Sequence, residues 1–267
     1  MSLEIQSLSE WLISNKLSLH LGKTESILFG SNKRLKKESK MNVKCNEIEI
    51  KSKCTVSYLG ADLDQDLSGK TMGYKILKKV NNGLKFLYRN SKFLRFRERK
   101  MLCSSLLTSH YDYGYNTYYR TLETYCKERL QCSQNKMIRF ILNEEYRYHL
   151  NVNDFCKVNY LPVEYRIKYL TLNLMFKIHV AEAPQYLLEN FSKIQHSHNT
   201  RYNNDSYVIP NVKGVGTKTF VYNGTKLWNN LPINLKKCDC KDVFNSKCKK
   251  YLFEIMSKEE NCDFMYY

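Results

Sequence analysis

Residues 72–90 constrain the fold of this chain more than any other segment. On a helical wheel, the large apolar side chains fall on one half of the segment and the cations on the opposite half. The apolar positions are Ile76, Leu77, Val80, Leu84, Leu87 and Tyr88. This period predicts an α-helix that buries one face in a core and presents a stripe of positive charge on the other.

The charge of this stripe is not balanced. Residues 75–100 contain ten basic residues and one acidic residue, Glu98. A solvated helix face usually mixes signs, and unrelieved like charge costs stability unless a polyanion neutralises it. We therefore interpret the stripe as a phosphate-binding surface, with a solvated lysine-rich face as the alternative. The candidate nucleic-acid-binding residues are Lys75, Lys78, Lys79, Lys85, Arg89, Lys92, Arg95 and Arg97.

The whole chain points to the same class of partner. Its 267 residues carry a formal net charge of +17, which favours nucleic acid, less often an anionic membrane; a basic protein without such a partner is the alternative. No apolar run reaches the ~18–20 residues of a membrane span, and the N-terminal residues do not resemble a secretory signal. We therefore expect no membrane partner and a location in nucleus and cytoplasm.

The ten cysteines are expected to be reduced in such a compartment. The densest group is Cys238, Cys240, Cys248 and Cys262, whose spacing matches no common zinc site, so packed thiols are expected. The chain also lacks the glycine-rich phosphate loop, the dinucleotide-binding turn, the nucleophile elbow and the metalloprotease helix motif.

Two other patterns leave alternatives open. Asp62, Asp64 and Asp66 alternate and could bind Mg²⁺ weakly, although an acidic turn between a strand and the basic helix is the simpler interpretation. Aromatic residues interleave with cations, and they could stack on bases or belong to the core. They include Tyr74, Tyr88, Phe93, Phe96 and the tyrosines of 111–119.

The periodicities predict an α+β fold. A small α/β unit over 1–66 precedes a mainly helical region over 67–150 and a mixed region over 151–267. Besides 72–90, helices are expected near 5–14, 98–110, 121–142, 164–180, 186–191 and 241–256. Strands are expected over 17–21, 26–29, 43–50 and 54–60, with strand-like stretches in 207–222.

Short motifs spread along most of the chain resemble the reverse transcriptase of non-LTR (LINE-type) retrotransposons. They are Trp11, Asn15-Lys16-Leu17, Lys23-Thr24-Glu25 with Phe29, Tyr58-Leu59-Gly60 with Leu63-Asp64, Gln134-Asn135-Lys136 with Arg139, Leu161-Pro162-Val163 with Arg166, Ala183-Pro184 with Tyr186-Leu187, Asn199-Thr200-Arg201, and Leu227-Trp228-Asn229 with Leu231-Pro232. Each motif is short, and it is their order that carries the resemblance.

The resemblance implies a division of the chain and a partner. Residues 1–66 would be a palm-edge remnant, 67–150 the thumb that grips the primer–template duplex, and 151–267 the post-thumb region. Tyr58, Leu59 and Gly60 would form a primer-grip-like turn. The implied partner is an RNA–DNA duplex or another nucleic-acid duplex.

The chain departs from the family's pattern at the catalytic centre. The family holds two Mg²⁺ ions with an aromatic-x-Asp-Asp turn and one earlier Asp, and this sequence contains no Asp-Asp pair. We therefore expect no catalytic residues and no cofactor in this chain, with the remaining polymerase and the endonuclease portions missing from it. The expected function is a fragment of an RNA-directed DNA polymerase that binds primer–template. The alternative is a host-recruited or remnant nucleic-acid-binding or scaffold protein without catalysis.

Overall fold

The computed structural model describes residues 2–37, 43–45, 48–194 and 205–258, and it has the expected α+β fold. Short strands lie in the N-terminal part, and helices form most of the remainder. The helices are α1 (Ser2–Ser14), α2 (Asn32–Leu35), α3 (Lys70–Arg89), α4 (Phe96–Leu102), α5 (Ser109–Asp112), α6 (Tyr115–Tyr118), α7 (Thr124–Leu142), α8 (Val152–Val158), α9 (Val163–His179), α10 (Gln185–Leu188), α11 (Phe220–Asn229), α12 (Ile233–Lys236) and α13 (Lys241–Lys258). Short 3₁₀ segments occupy Leu21–Lys23, Ser91–Phe93 and Gly214–Lys218, and a π-helical segment, Cys103–Thr108, joins α4 to α5.

Two small sheets form the N-terminal unit. The strands are β1 (Glu25–Ser26), β2 (Val43–Cys45), β3 (Ile48–Ser52), β4 (Thr55–Tyr58) and β5 (Ala61–Asp64). β3 lies between β1, which is parallel to it, and β2, which is antiparallel; β4 and β5 form a separate antiparallel hairpin. Val43, Cys45 and Ile50 are buried in a small core, against which Ile5 of α1 packs.

The strand predicted over 17–21 is wrong. Residues 17–20 have no regular structure, and a 3₁₀ turn follows at Leu21–Lys23. Leu19 and Leu21 pack against the small core, so their alternation reports burial. In the described sheet β3 lies between β1 and β2, and residues 17–21 pair with none of these strands. The strand predicted over 26–29 is limited to β1, and the segment 43–50 supplies two strands, β2 and most of β3.

One apolar core extends from α3 to α13. α3 packs on α7, and α9 packs on both α11 and α13. Buried residues from Met72 to Met256 belong to a single cluster, in which the rings of Phe176 and Phe244 stack 4.4 Å apart. This core contains residues from both sides of the predicted boundary between 67–150 and 151–267. The division into these two regions stays a prediction. Among the described residues, no helix is both long and apolar enough to cross a bilayer.

The strand-like stretches predicted within 207–222 are also wrong. In this part of the chain only an isolated bridge pairs Tyr207 with Lys193, and the 3₁₀ turn Gly214–Lys218 leads into α11. Thr219 starts α11 by accepting a hydrogen bond from the backbone N–H of Tyr222. Tyr207 and Phe220 pack against the core here without a strand ladder, whereas Val208, Ile209, Val212 and Val215 are exposed.

Candidate nucleic-acid interface

Helix α3 is held closely against the helices that come after it. Its N-cap, Gly69, has a φ of +70°, and a Cβ added there would lie 2.8 Å from the carbonyl oxygen of Tyr118. A Cβ at Gly83 would lie 2.5 Å from Leu107 Cδ2. These close approaches fix which face of α3 enters the core. The buried residues are Met72, Gly73, Ile76, Leu77, Val80, Leu84 and Leu87, as the sequence predicted for all the aliphatic positions, whereas Tyr88 is 46% exposed.

Seven of the eight predicted cations are exposed. They are Lys78, Lys79, Lys85, Arg89, Lys92, Arg95 and Arg97, and we call this set the cationic face. Within the described ranges, none of them forms a salt bridge. Because a helix rises ~1.5 Å per residue, the part from Lys78 to Arg89 is about 16 Å long. The cationic face then continues past the end of α3 through Lys92 to Arg97.

Lys75 differs from the other seven. Its Nζ lies 2.6 Å from Asp62 Oδ1 and 3.4 Å from the carbonyl oxygen of Gly60, and the residue is partly buried. The ion pair compensates its charge and holds the N-terminal half of α3 against the β4–β5 hairpin. Lys75 therefore lies at the border of the cationic face as a structural residue.

This difference leads to an expected result for single substitutions. Lys78→Gln should weaken binding to a nucleic-acid duplex roughly eightfold near 100 mM salt, the contribution of one phosphate contact. Lys75→Gln should weaken it less than twofold, because the lysine is already paired with Asp62. Fluorescence anisotropy with a labelled duplex measures both. Equal losses for the two variants would show that Lys75 is as available to phosphate as Lys78.

The three alternating aspartates have separate structural partners. Asp64 is buried, and its carboxylate accepts hydrogen bonds from the side chains of Thr55 and Ser68 and from the backbone N–H of Thr71 at the start of α3. Asp62 pairs with Lys75, and Asp66 accepts a hydrogen bond from the backbone N–H of Ser68. Among the described residues, no three Asp, Glu, His or Cys side chains group as a metal site.

The turn predicted to be primer-grip-like lies beside the cationic face. Leu59 and Gly60 have φ values of +48° and +83°, the tight turn that suits a two-residue hairpin. Tyr58 and Leu59 are 66% and 76% exposed, and the Tyr113 hydroxyl donates a hydrogen bond to the Leu59 carbonyl oxygen. The structure thus places an exposed turn next to the N-terminal half of α3.

A small hollow connects this turn to α3. It is lined by Gly60, Met72, Lys75, Ile76, Lys79, His110 and Tyr113. Burial and the positive charge of Lys79 both lower the pKa of His110, so the imidazole stays neutral near pH 7. The charge at this end of the face therefore comes from the lysines.

Arg99 has a structural role that the charge pattern of the sequence did not distinguish from that of the other cations. It is buried, with 8% of its surface exposed, and its guanidinium donates to four oxygen acceptors. These are the carbonyl oxygens of Ser91 at 3.0 Å, Leu94 at 2.9 Å and Phe140 at 2.9 Å, and Asn143 Oδ1 at 2.7 Å. Arg99 therefore fastens the turn between α3 and α4 to the end of α7. The sequence does contain a hint of this burial. Arg99 comes three and four residues before the apolar Leu102 and Cys103, a spacing that places it on the same side of the helix as they are.

Several residues of the short motifs prove to be packing determinants. Gln134 Nε2 donates to the Leu161 carbonyl oxygen, and the Val163 N–H donates to Gln131 Oε1, so α7 is joined to the start of α9. Arg166 forms a two-pronged ion pair with Asp112. These contacts order the helical core, and none of them involves a residue of the cationic face.

The Trp228-Asn229 motif also has a structural role. The Asn229 side-chain amide accepts from the Tyr207 N–H and donates to the Tyr207 carbonyl oxygen, at 2.9 and 2.8 Å. Trp228 is fully buried, and its Nε1 donates to the Asp205 carbonyl oxygen. The motif thus holds the segment after residue 204 against α11. Asn199, Thr200 and Arg201, like Cys262, lie outside the described residues.

Comparisons of the chain with protein-family models, with curated proteins and with solved structures found no match. The functional conclusion therefore depends on the geometry and charge of the cationic face. Two features of that geometry matter: the cations are exposed together, and the opposite face of α3 is buried in the core.

Proposed function

We propose that this chain binds nucleic-acid duplex without sequence preference through the cationic face, as the primer–template-binding part of an RNA-directed DNA polymerase of the non-LTR retrotransposon type. The observation that carries the proposal is the exposure of seven cations that pair with no described carboxylate. A duplex backbone is the polyanion that such a row neutralises, and counterion release drives the association.

The cations of α3 are arranged to contact phosphates of the backbone and not base edges. Lys78, Lys85 and Arg89 recur seven and four residues apart on one side of α3, a spacing that keeps them on a common line. The ~16 Å from Lys78 to Arg89 corresponds to about five phosphates of one strand at ~3.4 Å of axis per base pair. Lysine contacts to phosphate position a protein on the duplex but do not read its sequence.

The proposal gives this chain a binding role and no catalytic step. The alternating aspartates do not suit Mg²⁺, which the family uses, because Asp62 pairs with Lys75 and Asp64 accepts a hydrogen bond at the start of α3. A recruited or remnant binding or scaffold protein without catalysis, the alternative, would use the same face. Metal-dependent nucleotide incorporation by this chain would contradict the absence of catalysis.

The test removes two central charges. Lys78→Gln combined with Lys85→Gln should weaken binding to an RNA–DNA hybrid roughly 30–100-fold near 100 mM salt, because two phosphate contacts are lost. The loss should be the same for hybrids of unrelated sequence. Fluorescence anisotropy titrations on two or more hybrids measure it.

The control is a pair of exposed lysines remote from α3 along the chain. Lys226→Gln with Lys237→Gln makes the same change in net charge on α11 and after α12. We expect this variant to lose less than threefold in affinity, the effect of net charge alone. Equal losses for the two double variants, or a loss that depends on hybrid sequence, would overturn the proposed role of the cationic face.

A further inference from the structure

The end of α3, the turn that follows it and the start of α4 expose aromatic rings among the cations. Phe86, Phe93 and Phe96 are 60%, 85% and 43% exposed, and we call these three residues the aromatic corner. Each lies within four residues of a cation of the cationic face. Phe86 comes seven residues after Lys79 and three before Arg89, so it projects from the same side of α3 as both. In the described part of the chain, no other aromatic ring packs on any of the three.

Phe93 of the aromatic corner lies in an ordered turn. The Phe93 N–H donates to the Asn90 carbonyl oxygen, and Arg99 holds the carbonyl oxygens of Ser91 and Leu94 on either side of Phe93. Leu94 packs against the core. Phe93 is therefore presented to solvent by a fixed backbone, at a cost in apolar hydration that burial of the ring would remove. Such a fixed, exposed ring is suited to stacking against a flat partner.

We propose that the aromatic corner binds unpaired nucleotides of a strand that leaves the duplex, with bases stacked on Phe93 and Phe86 and phosphates on the neighbouring cations. The inference rests on the proposed function, since the duplex on α3 brings the strand to the corner. The cations available to those phosphates are Arg89, Lys92, Arg95 and Arg97.

The positive charge of the aromatic corner favours a single nucleic-acid strand as its ligand. Glu98 is the single acidic residue between 75 and 100, and its carboxylate accepts a hydrogen bond from the backbone N–H of Arg95, so the corner presents rings and positive charge. Single-stranded nucleic acid supplies flat apolar bases and a phosphate at every step, and proteins that bind it without sequence preference combine these same two features. Exposed cations follow one another along the sequence from Lys85 through Arg89, Lys92 and Arg95 to Arg97, so the aromatic corner adjoins the cationic face.

The test compares blunt hybrids with hybrids that carry a four-nucleotide single-stranded tail at one end, 3′ or 5′. The unaltered chain should bind one tailed hybrid about 5–50-fold more tightly than the blunt one, the contribution of a stacked base. Phe93→Ala should reduce that advantage at least fivefold, the contribution of one stacked base, and leave affinity for the blunt hybrid within twofold. Phe93→Trp should retain the advantage, and Phe93→Leu should lose it, since leucine is apolar but cannot stack.

Fluorescence of 2-aminopurine in the tail gives an independent readout. Stacking on Phe93 should change its emission on binding, and Phe93→Ala should remove that change. The control is Tyr186→Ala on α10, where the ring is 72% exposed and lies in a part of the chain without a run of cations; it should change neither measurement.

The outcomes separate the two proposals. Failure to bind the blunt hybrid contradicts the proposed function. Blunt binding without a tail advantage, or an advantage that is undiminished in Phe93→Ala, overturns the inference about the aromatic corner. Loss of binding to anionic lipid vesicles in Phe93→Ala, together with no tail advantage, would assign the corner to a membrane surface instead.

Discussion

Raising the salt concentration from 50 to 300 mM should weaken binding of an RNA–DNA hybrid several-hundred-fold. Four cations of α3, Lys78, Lys79, Lys85 and Arg89, are exposed and unpaired within the described residues. Each phosphate that a cation neutralises contributes about −0.9 to the slope of log K against log salt, so four contacts give a slope of about −3.6. Anisotropy titrations at five salt concentrations measure this slope.

The same titrations on Lys78→Gln with Lys85→Gln should give a slope near −2, because two contacts are removed. The urea-unfolding midpoint, followed by circular dichroism at 50 and 300 mM salt, checks that the fold itself does not account for the change. Affinity that is as strong at 300 mM as at 50 mM would exclude phosphate contacts as the source of binding.

Arg99→Met should lower the free energy of unfolding by about 2–4 kcal/mol. The substitution removes four hydrogen bonds. The Leu94 carbonyl oxygen and Asn143 Oδ1 lose their donor, whereas the Ser91 and Phe140 carbonyl oxygens still accept from the backbone N–H groups of Leu94 and Asn143. Each buried group left without its hydrogen bond costs ~1–3 kcal/mol, partly recovered here by the added methionine packing. Urea unfolding followed by circular dichroism measures the loss.

Arg97→Met is the matched control. It makes the same change in charge and composition two residues away, at an exposed position, and should alter stability by less than ~0.5 kcal/mol. Arg99→Lys should recover only part of the loss, since an ammonium cannot reproduce the fixed directions of a guanidinium. If Arg99→Met were no less stable than Arg97→Met, the conclusion that the Arg99 hydrogen bonds stabilise the α3–α4 turn would be wrong.

The long helices were predictable because their periodicity is a local property. The segments 72–90, 121–142, 164–180 and 241–256 all contain helices within a few residues of the expected bounds. The strands were less predictable. Alternating leucines at 17–21 and the apolar run after 207 belong to a loop and to turns, since a strand needs a free edge elsewhere in the fold, which no local pattern reports.

For the candidate site, the sequence alone determined the total charge, its concentration between residues 75 and 100, and the side of α3 on which it lies. Only the tertiary structure decided which cations are free. Lys75 finds its partner 13 residues away, and Arg99 finds acceptors 41 and 44 residues away. A helical period fixes the side from which a cation projects, because that is set by neighbouring residues. Its availability to phosphate depends on what the rest of the fold places opposite it.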